Sequence, residues 1–223
     1  MPDFPVQEVS PFVGERPHTV CRPRLKCRQL FMIYTGRLGE LMLPAFEFIR
    51  ATQIHDRNMV VFRDNERVNY QGGLSPDIPN MRSFLEWQQM QRELYFPHVH
   101  TTYCLGTSAG GYAALASGHY LKAPIVWAFG PMTQIRGRFA LYANDAVSQR
   151  CTDLAEVLSE DNGVTEYRVF YNEGFDMDRE AVERIADCPG VRLFPQSGEG
   201  HQVVVTMAET GQLRDLLVPF EAV

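Results

Sequence analysis

Cysteine pairing is missing from this sequence. Its five cysteines, Cys21, Cys27, Cys104, Cys151 and Cys188, are odd in number and scattered, with no C-x-x-C pair. That excludes a disulfide frame or a zinc ribbon as the organising feature and fits free thiols in a reducing cytoplasm. A basic surplus is missing too: 21 Lys and Arg stand against 27 Asp and Glu, for a net charge of −6. Such a chain has no basic footprint for nucleic acid or an anionic membrane. No apolar run is long enough to span a bilayer. The opening "MPDFPVQEVSPFVGERP" lacks a basic region followed by an apolar one, so no secretory signal is expected there. Repeats and low-complexity tracts are absent as well.

What is there is the composition of a globular domain. The chain has 223 residues, 45% hydrophobic and 22% charged, enough for one large domain and short for two. Residues 1–27 are rich in Pro and charge and read as a surface arm with room for a short strand. From residue 28 to 223 a single domain is expected. Strand-like runs alternate there with helical ones. The strands are "RQLFMIYTG", "NMVVFRD", "HTTYCLG", "APIVWAFG", "TEYRVFYN" and "VRLFPQS". Between them lie helical segments at 41–52, 81–94, 109–121, 152–160 and 178–187, and an amphipathic segment closes the chain. The stretch 131–163 is irregular and leaves room for a small lid. Alternation of this kind predicts an α/β fold, a three-layer sandwich with a mainly parallel twisted sheet.

In such sheets, ligands bind beyond the carboxyl ends of the strands. The residues to inspect are therefore Thr35-Gly36-Arg37, Arg63-Asp64, Gly106 to Gly111, Gly130-Pro131, Asn172 to Asp178 and Ser197 to His201. Among these, Gly106-Thr107-Ser108-Ala109-Gly110 matches G-x-S-x-G and sits between a strand and a helix. A strand that turns sharply into a helix strains the residue at the corner. Glycines two residues to either side avoid clashes there, and the corner hydroxyl stands clear of the sheet. The competing role is a small-residue turn without chemistry, or a phosphate cradle. No Lys follows as in a P-loop.

A serine nucleophile needs a base. Of six histidines, His98 and His100 precede the serine's strand, His119 lies late in the following helix, and His18 and His55 fall earlier. Only His201, in "QSGEGHQ", follows the last strand. An acid must orient it, and "YNEGFDMDRE" offers Asp178, then Asp176, then Glu173. Asp178 also suits a helix N-cap, and Asp176 a solvated turn. An oxyanion would meet the backbone N–H of Ala109 at the helix start and that of Gly36 or Arg37 in "YTGRLGEL". The Arg37 side chain suits a substrate carboxylate or phosphate, or a surface pair with Glu40 or Asp64.

These residues, in the order Ser108, Asp178, His201, resemble the α/β-hydrolase superfamily, over nearly all the chain from about residue 28. "GTSAGGYAAL", "AFGP" and "FYNEGFDMDREA" are similar to small bacterial hydrolases, some linked to polysaccharide or natural-product pathways. The resemblance implies a serine hydrolase that cleaves a small-molecule acyl ester or thioester through an acyl-enzyme, without metal or organic cofactor. Two departures stand out. Thr35-Gly36 replaces the H-G pair common in lipases and esterases, and about 35 residues between Gly130 and the fifth strand exclude a large cap domain. Pro131, Met132, Ile135, Phe139, Leu141 and Tyr142 suit an acyl pocket or the packing of a lid. "RDNERVNYQGG" reads as a solvated loop, with substrate contacts through Arg67 or Tyr70 as the alternative. Trp87 and Cys104 read as core. Two other functional classes fit the same residues: an acyltransferase, cyclase or lyase using the same triad, and a non-catalytic binder of a small ligand.

Overall fold

In the computed structural model, the residues described are 18–21, 27–55 and 57–217. Most of the expected arm, 1–17 and 22–26, and the tail 218–223 lie outside them. The sheet has seven strands: β1 (His18–Cys21), β2 (Gln29–Tyr34), β3 (Asn58–Phe62), β4 (Thr101–Thr107), β5 (Ile125–Phe129), β6 (Glu166–Asn172) and β7 (Val191–Gln196). Their spatial order is β1-β3-β2-β4-β5-β6-β7. β1 runs antiparallel to β3, and the remaining strands are parallel.

Helices cover both faces. They are α1 (Ala45–Ala51), α2 (Met81–Tyr95), α3 (Ala109–Tyr120), α4 (Ala146–Arg150), α5 (Leu154–Leu158), α6 (Asp176–Glu183), α7 (Val203–Glu209) and α8 (Gln212–Leu216). Successive side chains of a strand point to opposite faces, so a strand buried on both sides must be apolar throughout. β2 shows this. Leu30, Met32 and Tyr34 join one core with α2, α3, α5 and α6, while Phe31 and Ile33 join the other with α1, α7 and α8. Among the described residues, no helix is long and apolar enough to cross a membrane.

The structure departs from the sequence reading in local ways. β1 is the short strand for which the arm left room, and it is part of the sheet, paired with the edge of β3. Residues 131–163, read with one helix, hold a 3-10 turn (Gly137–Tyr142) and both α4 and α5. A cap fixes the start of each helix: Asp145 accepts from the N–H groups of Val147 and Ser148, and Asp153 from that of Ala155. Tyr70 is not in a solvated loop. Its ring is fully buried, and its hydroxyl donates to the Thr35 and Phe62 carbonyls at 2.9 and 3.1 Å.

Candidate active site

Ser108 follows β4 and caps α3, with φ 54° and ψ −120°. A serine holds this disfavoured conformation only where its surroundings over-determine it. Its N–H donates to the Phe129 carbonyl at 2.8 Å, and its own carbonyl accepts from the Tyr112 N–H at 3.2 Å. The flanking glycines explain the rest. A Cβ on Gly106 would overlap the Gly110 carbonyl, and one on Gly110 would overlap the carbonyls of Tyr34 and Thr35. The helix therefore starts against the neighbouring strand at a distance that only glycine permits.

Ser108, His201 and Asp178 form one hydrogen-bonded line. His201 Nε2 stands 2.9 Å from Ser108 Oγ. His201 Nδ1 stands 2.8 Å and 3.0 Å from the two carboxylate oxygens of Asp178. Asp178 is buried, whereas the His201 side chain is 37% exposed. The acid is thus shielded behind the ring, and the ring reaches solvent. With Nδ1–H turned to the carboxylate, Nε2 is left as the acceptor for the serine proton.

The other two acids lie elsewhere. The Asp176 side chain is 74% exposed and pairs with Arg179 at 2.7 Å. Glu173 is exposed, and its N–H donates to the Gln196 carbonyl at 3.0 Å. Asp178 is not a helix N-cap either. The helix begins two residues earlier than its sequence suggested, with Phe175 in the cap position. That shift places Asp178 in the first turn, facing inward.

Of the residues expected to offer an N–H to an oxyanion, Ala109 opens α3, so its N–H has no partner within the helix. The Gly36 N–H is taken: it donates to the Glu40 carbonyl at 2.7 Å and closes the turn. Arg37 is the next residue along. Its side chain pairs with neither Glu40 nor Asp64 but lies 5.3 Å from the centroid of the Phe139 ring. A cavity of about 570 Å³ opens here, lined by Arg37, Arg67, Phe139, Leu141 and Tyr142 among others. Pro131 and Ile135 are buried, and Met132 packs partly buried on the core. The stretch read as an acyl pocket or as packing therefore divides into a packed start and a cavity-facing tip.

Three residues near the line escape pattern reading. Gly130 has φ 50°, and a Cβ on it would meet Asp178 Oδ2 at 2.9 Å and His201 Cε1 at 3.3 Å. Asn172 ends β6, is buried, and donates through Nδ2 to the Gly200 carbonyl. The Phe175 ring lies tilted beside that of His201, with centroids 5.8 Å apart and 51° between the planes. Position after a strand was the only available signal for Gly130 and Asn172. Cys104 is fully buried, and burial pushes its thiol up to about 12, so it stays protonated beneath the serine. Among the described residues, no group of three or more His, Cys or carboxylate side chains is placed to hold a metal ion.

No protein-family model matches the chain, and no curated protein matches it in sequence. Solved structures match it in fold. The capsule O-acetyltransferase of Neisseria meningitidis serogroup A superposes with a TM-score of 0.60 at 12% identity, over 86% of this chain and 88% of that one. Est1E from Butyrivibrio proteoclasticus, solved with ferulic acid bound, gives 0.57 at 12% identity, over 87% and 92%. A hydrolase from Oleispira antarctica gives 0.55 at 11% identity, over 96% and 97%. With six parallel strands, helices on both faces and these neighbours, the chain has the α/β-hydrolase fold.

Proposed function

We propose that this chain is a serine hydrolase that cleaves an acyl ester or thioester of a small molecule through an acyl-enzyme. The observation that carries the reading is the line from Ser108 Oγ through His201 to the buried Asp178. Ser108 Oγ attacks the carbonyl carbon as His201 Nε2 takes its proton. Asp178 stabilises the imidazolium that forms. The Ala109 N–H, at the positive end of α3, and the Arg37 N–H bind the developing oxyanion. Each such donor contributes about 10²–10³-fold in rate. His201 then returns the proton to the leaving oxygen or sulfur. A water, deprotonated by His201, attacks the acyl-enzyme, and collapse of the second intermediate frees the acid and Ser108. No step uses a metal or organic cofactor. The free thiols of Cys27, Cys104, Cys151 and Cys188 support a reducing cytoplasm as its location.

Labelling with a fluorophosphonate, read by intact mass, tests this. Wild type is expected to take one adduct, Ser108→Ala none, and His201→Ala one formed far more slowly. Folded wild-type protein that takes no adduct would overturn the reading and favour a ligand-binding role.

A second reading is acyl transfer to a hydroxyl other than water. The capsule O-acetyltransferase among the fold neighbours favours it. The acyl-enzyme is common to both, and only the second nucleophile differs. Product analysis with and without a sugar acceptor separates them: transfer leaves an acylated sugar, and hydrolysis leaves the free acid.

A further inference from the structure

The cavity beside the Gly36–Arg37 turn is strongly one-signed. Arg37, Arg67 and Arg138 line it, against the single carboxylate of Glu66, so these four carry a formal charge of +2 (three positive less one negative). The three arginines come from three separate segments: the turn after β2, the loop after β3, and the 3-10 turn at Gly137–Tyr142. Two of them converge on one ring. The guanidinium carbons of Arg37 and Arg138 lie 5.3 and 5.0 Å from the Phe139 centroid. All three arginines are exposed, so solvent screens their mutual repulsion, and three guanidinium groups around one concave surface give it a positive potential that attracts an anion.

The backbone that presents Arg67 is held in place. Arg67, Asn69 and Tyr70 have φ of 55°, 57° and 61°, values that side chains other than glycine disfavour. The Tyr70 N–H donates to Asp64 Oδ2 at 3.1 Å, and the Tyr70 hydroxyl to the carbonyl of Thr35 at 2.9 Å. The Arg67 loop is therefore bound to the same turn that carries Arg37. Its volume, about 570 Å³, suits a small-molecule moiety. The rigid, planar fork of arginine is the side chain best matched to carboxylate and phosphate oxygens.

We infer that this cavity holds an anionic group of the acyl substrate, a carboxylate or a phosphate, and that the enzyme prefers charged esters to neutral ones. The proposal rests on the reading of Ser108 as nucleophile. Arg37 joins the two sites, with its N–H toward the oxyanion and its side chain toward the anion.

Three matched esters test it: mono-p-nitrophenyl glutarate, p-nitrophenyl 4-phosphonobutyrate, and the neutral methyl p-nitrophenyl glutarate. At least one anionic ester is expected to exceed the neutral one in kcat/KM by about tenfold or more. The better of the two identifies the anion. In Arg67→Gln/Arg138→Gln the ratio is expected to fall close to one. A ratio near one in wild type, or a ratio that survives in the double variant, overturns the proposal. Calorimetric titration of Ser108→Ala with the same esters reads binding without chemistry. Equal affinity for neutral and anionic esters overturns the anion site even if no ester turns over. A binding preference without turnover or fluorophosphonate adduct overturns the reading of Ser108 and leaves the anion site standing.

Discussion

The side-chain amide of Asn172 donates to the main-chain carbonyl of Gly200 at 2.6 Å, immediately before His201. The end of β6 thereby holds the loop that carries the imidazole. Two backbone bonds run alongside, from Glu173 N–H to Gln196 and from Gly174 N–H to Gly198, each at 3.0 Å. Asn172 touches no reacting atom and is a positioning residue. Asn172→Ala is expected to slow fluorophosphonate labelling of Ser108 by about ten- to a hundredfold, through misplacement of the ring. The maximal labelling rate should drop while the half-saturating probe concentration holds. A lower Tm with unchanged labelling would show that the bond serves the fold alone.

Asp178 and Asp176 lie two residues apart in opposite surroundings. Asp178→Asn keeps the shape but no longer holds His201 in the tautomer that accepts from serine. Its kcat is expected to fall by about 10⁴-fold, the loss such a change brings in a serine triad. Asp176→Asn removes an exposed pair with Arg179, so activity should stay near wild type and stability should move by no more than about 0.5 kcal/mol. Steady-state kinetics on any ester that turns over decides between them. Equal losses would remove Asp178 from the proposed triad.

Ser108 adopts φ 54° without the freedom of glycine. Ser108→Gly should relieve that strain and raise stability by about 1 kcal/mol, while labelling disappears. Ser108→Ala keeps the Cβ and should gain much less. Urea denaturation of the three proteins measures both differences. A less stable Ser108→Gly would mean that the corner is relaxed as it stands.

His119 offers a test of stability against pH. Its Nδ1 lies 2.8 Å from the Tyr167 hydroxyl, inside the fold. Burial, and then the charge of Arg150, lower its pKa, with Glu160 acting the other way. The folded state therefore prefers the neutral ring, and the unfolded chain binds the proton more readily. Stability is complete above the unfolded value of about 6.5 and falls as pH drops through it. Wild type should lose more Tm between pH 7 and 5.5 than His119→Gln does. Parallel pH profiles would exclude His119 as the titrating group.

Much of this was legible in the chain because the physics is local. A strand buried on both faces must be apolar throughout, so β2, β3 and β5 announce themselves as runs such as "LFMIY", "MVVF" and "IVWAF". Gly106 is required by a contact between one strand and the helix that follows it, and only Gly110 answers to a neighbouring strand, at Tyr34 and Thr35. The setting of Asp178 was harder to read. Whether it caps α6 or faces His201 depends on a two-residue shift in the helix start, and the loop that meets it is 23 residues away. The bond from Asn172 to Gly200 and the meeting of Arg37 with Arg67 and Arg138 were out of reach for the same reason. Each is made by segments that meet only after the sheet has formed. Tyr70 misled because a loop sequence rich in Asn, Arg and Gly says nothing of a ring that turns back into the core.

The position of β4 separates the site's parts in resistance to opening. β4 has three strands on each side, whereas His201 and Asp178 come from the margin formed by β6 and β7. Amides of β4 should exchange with solvent only on global unfolding, and those around residues 172–178 and 197–201 through smaller openings of the sheet's edge. Warming or mild denaturant would then part the base and acid from a serine that stays fixed on intact structure. Reactivity would vanish while the circular dichroism is still native. The working temperature range of such an enzyme would be governed by the cohesion of its last two strands, and its melting point would overstate that range.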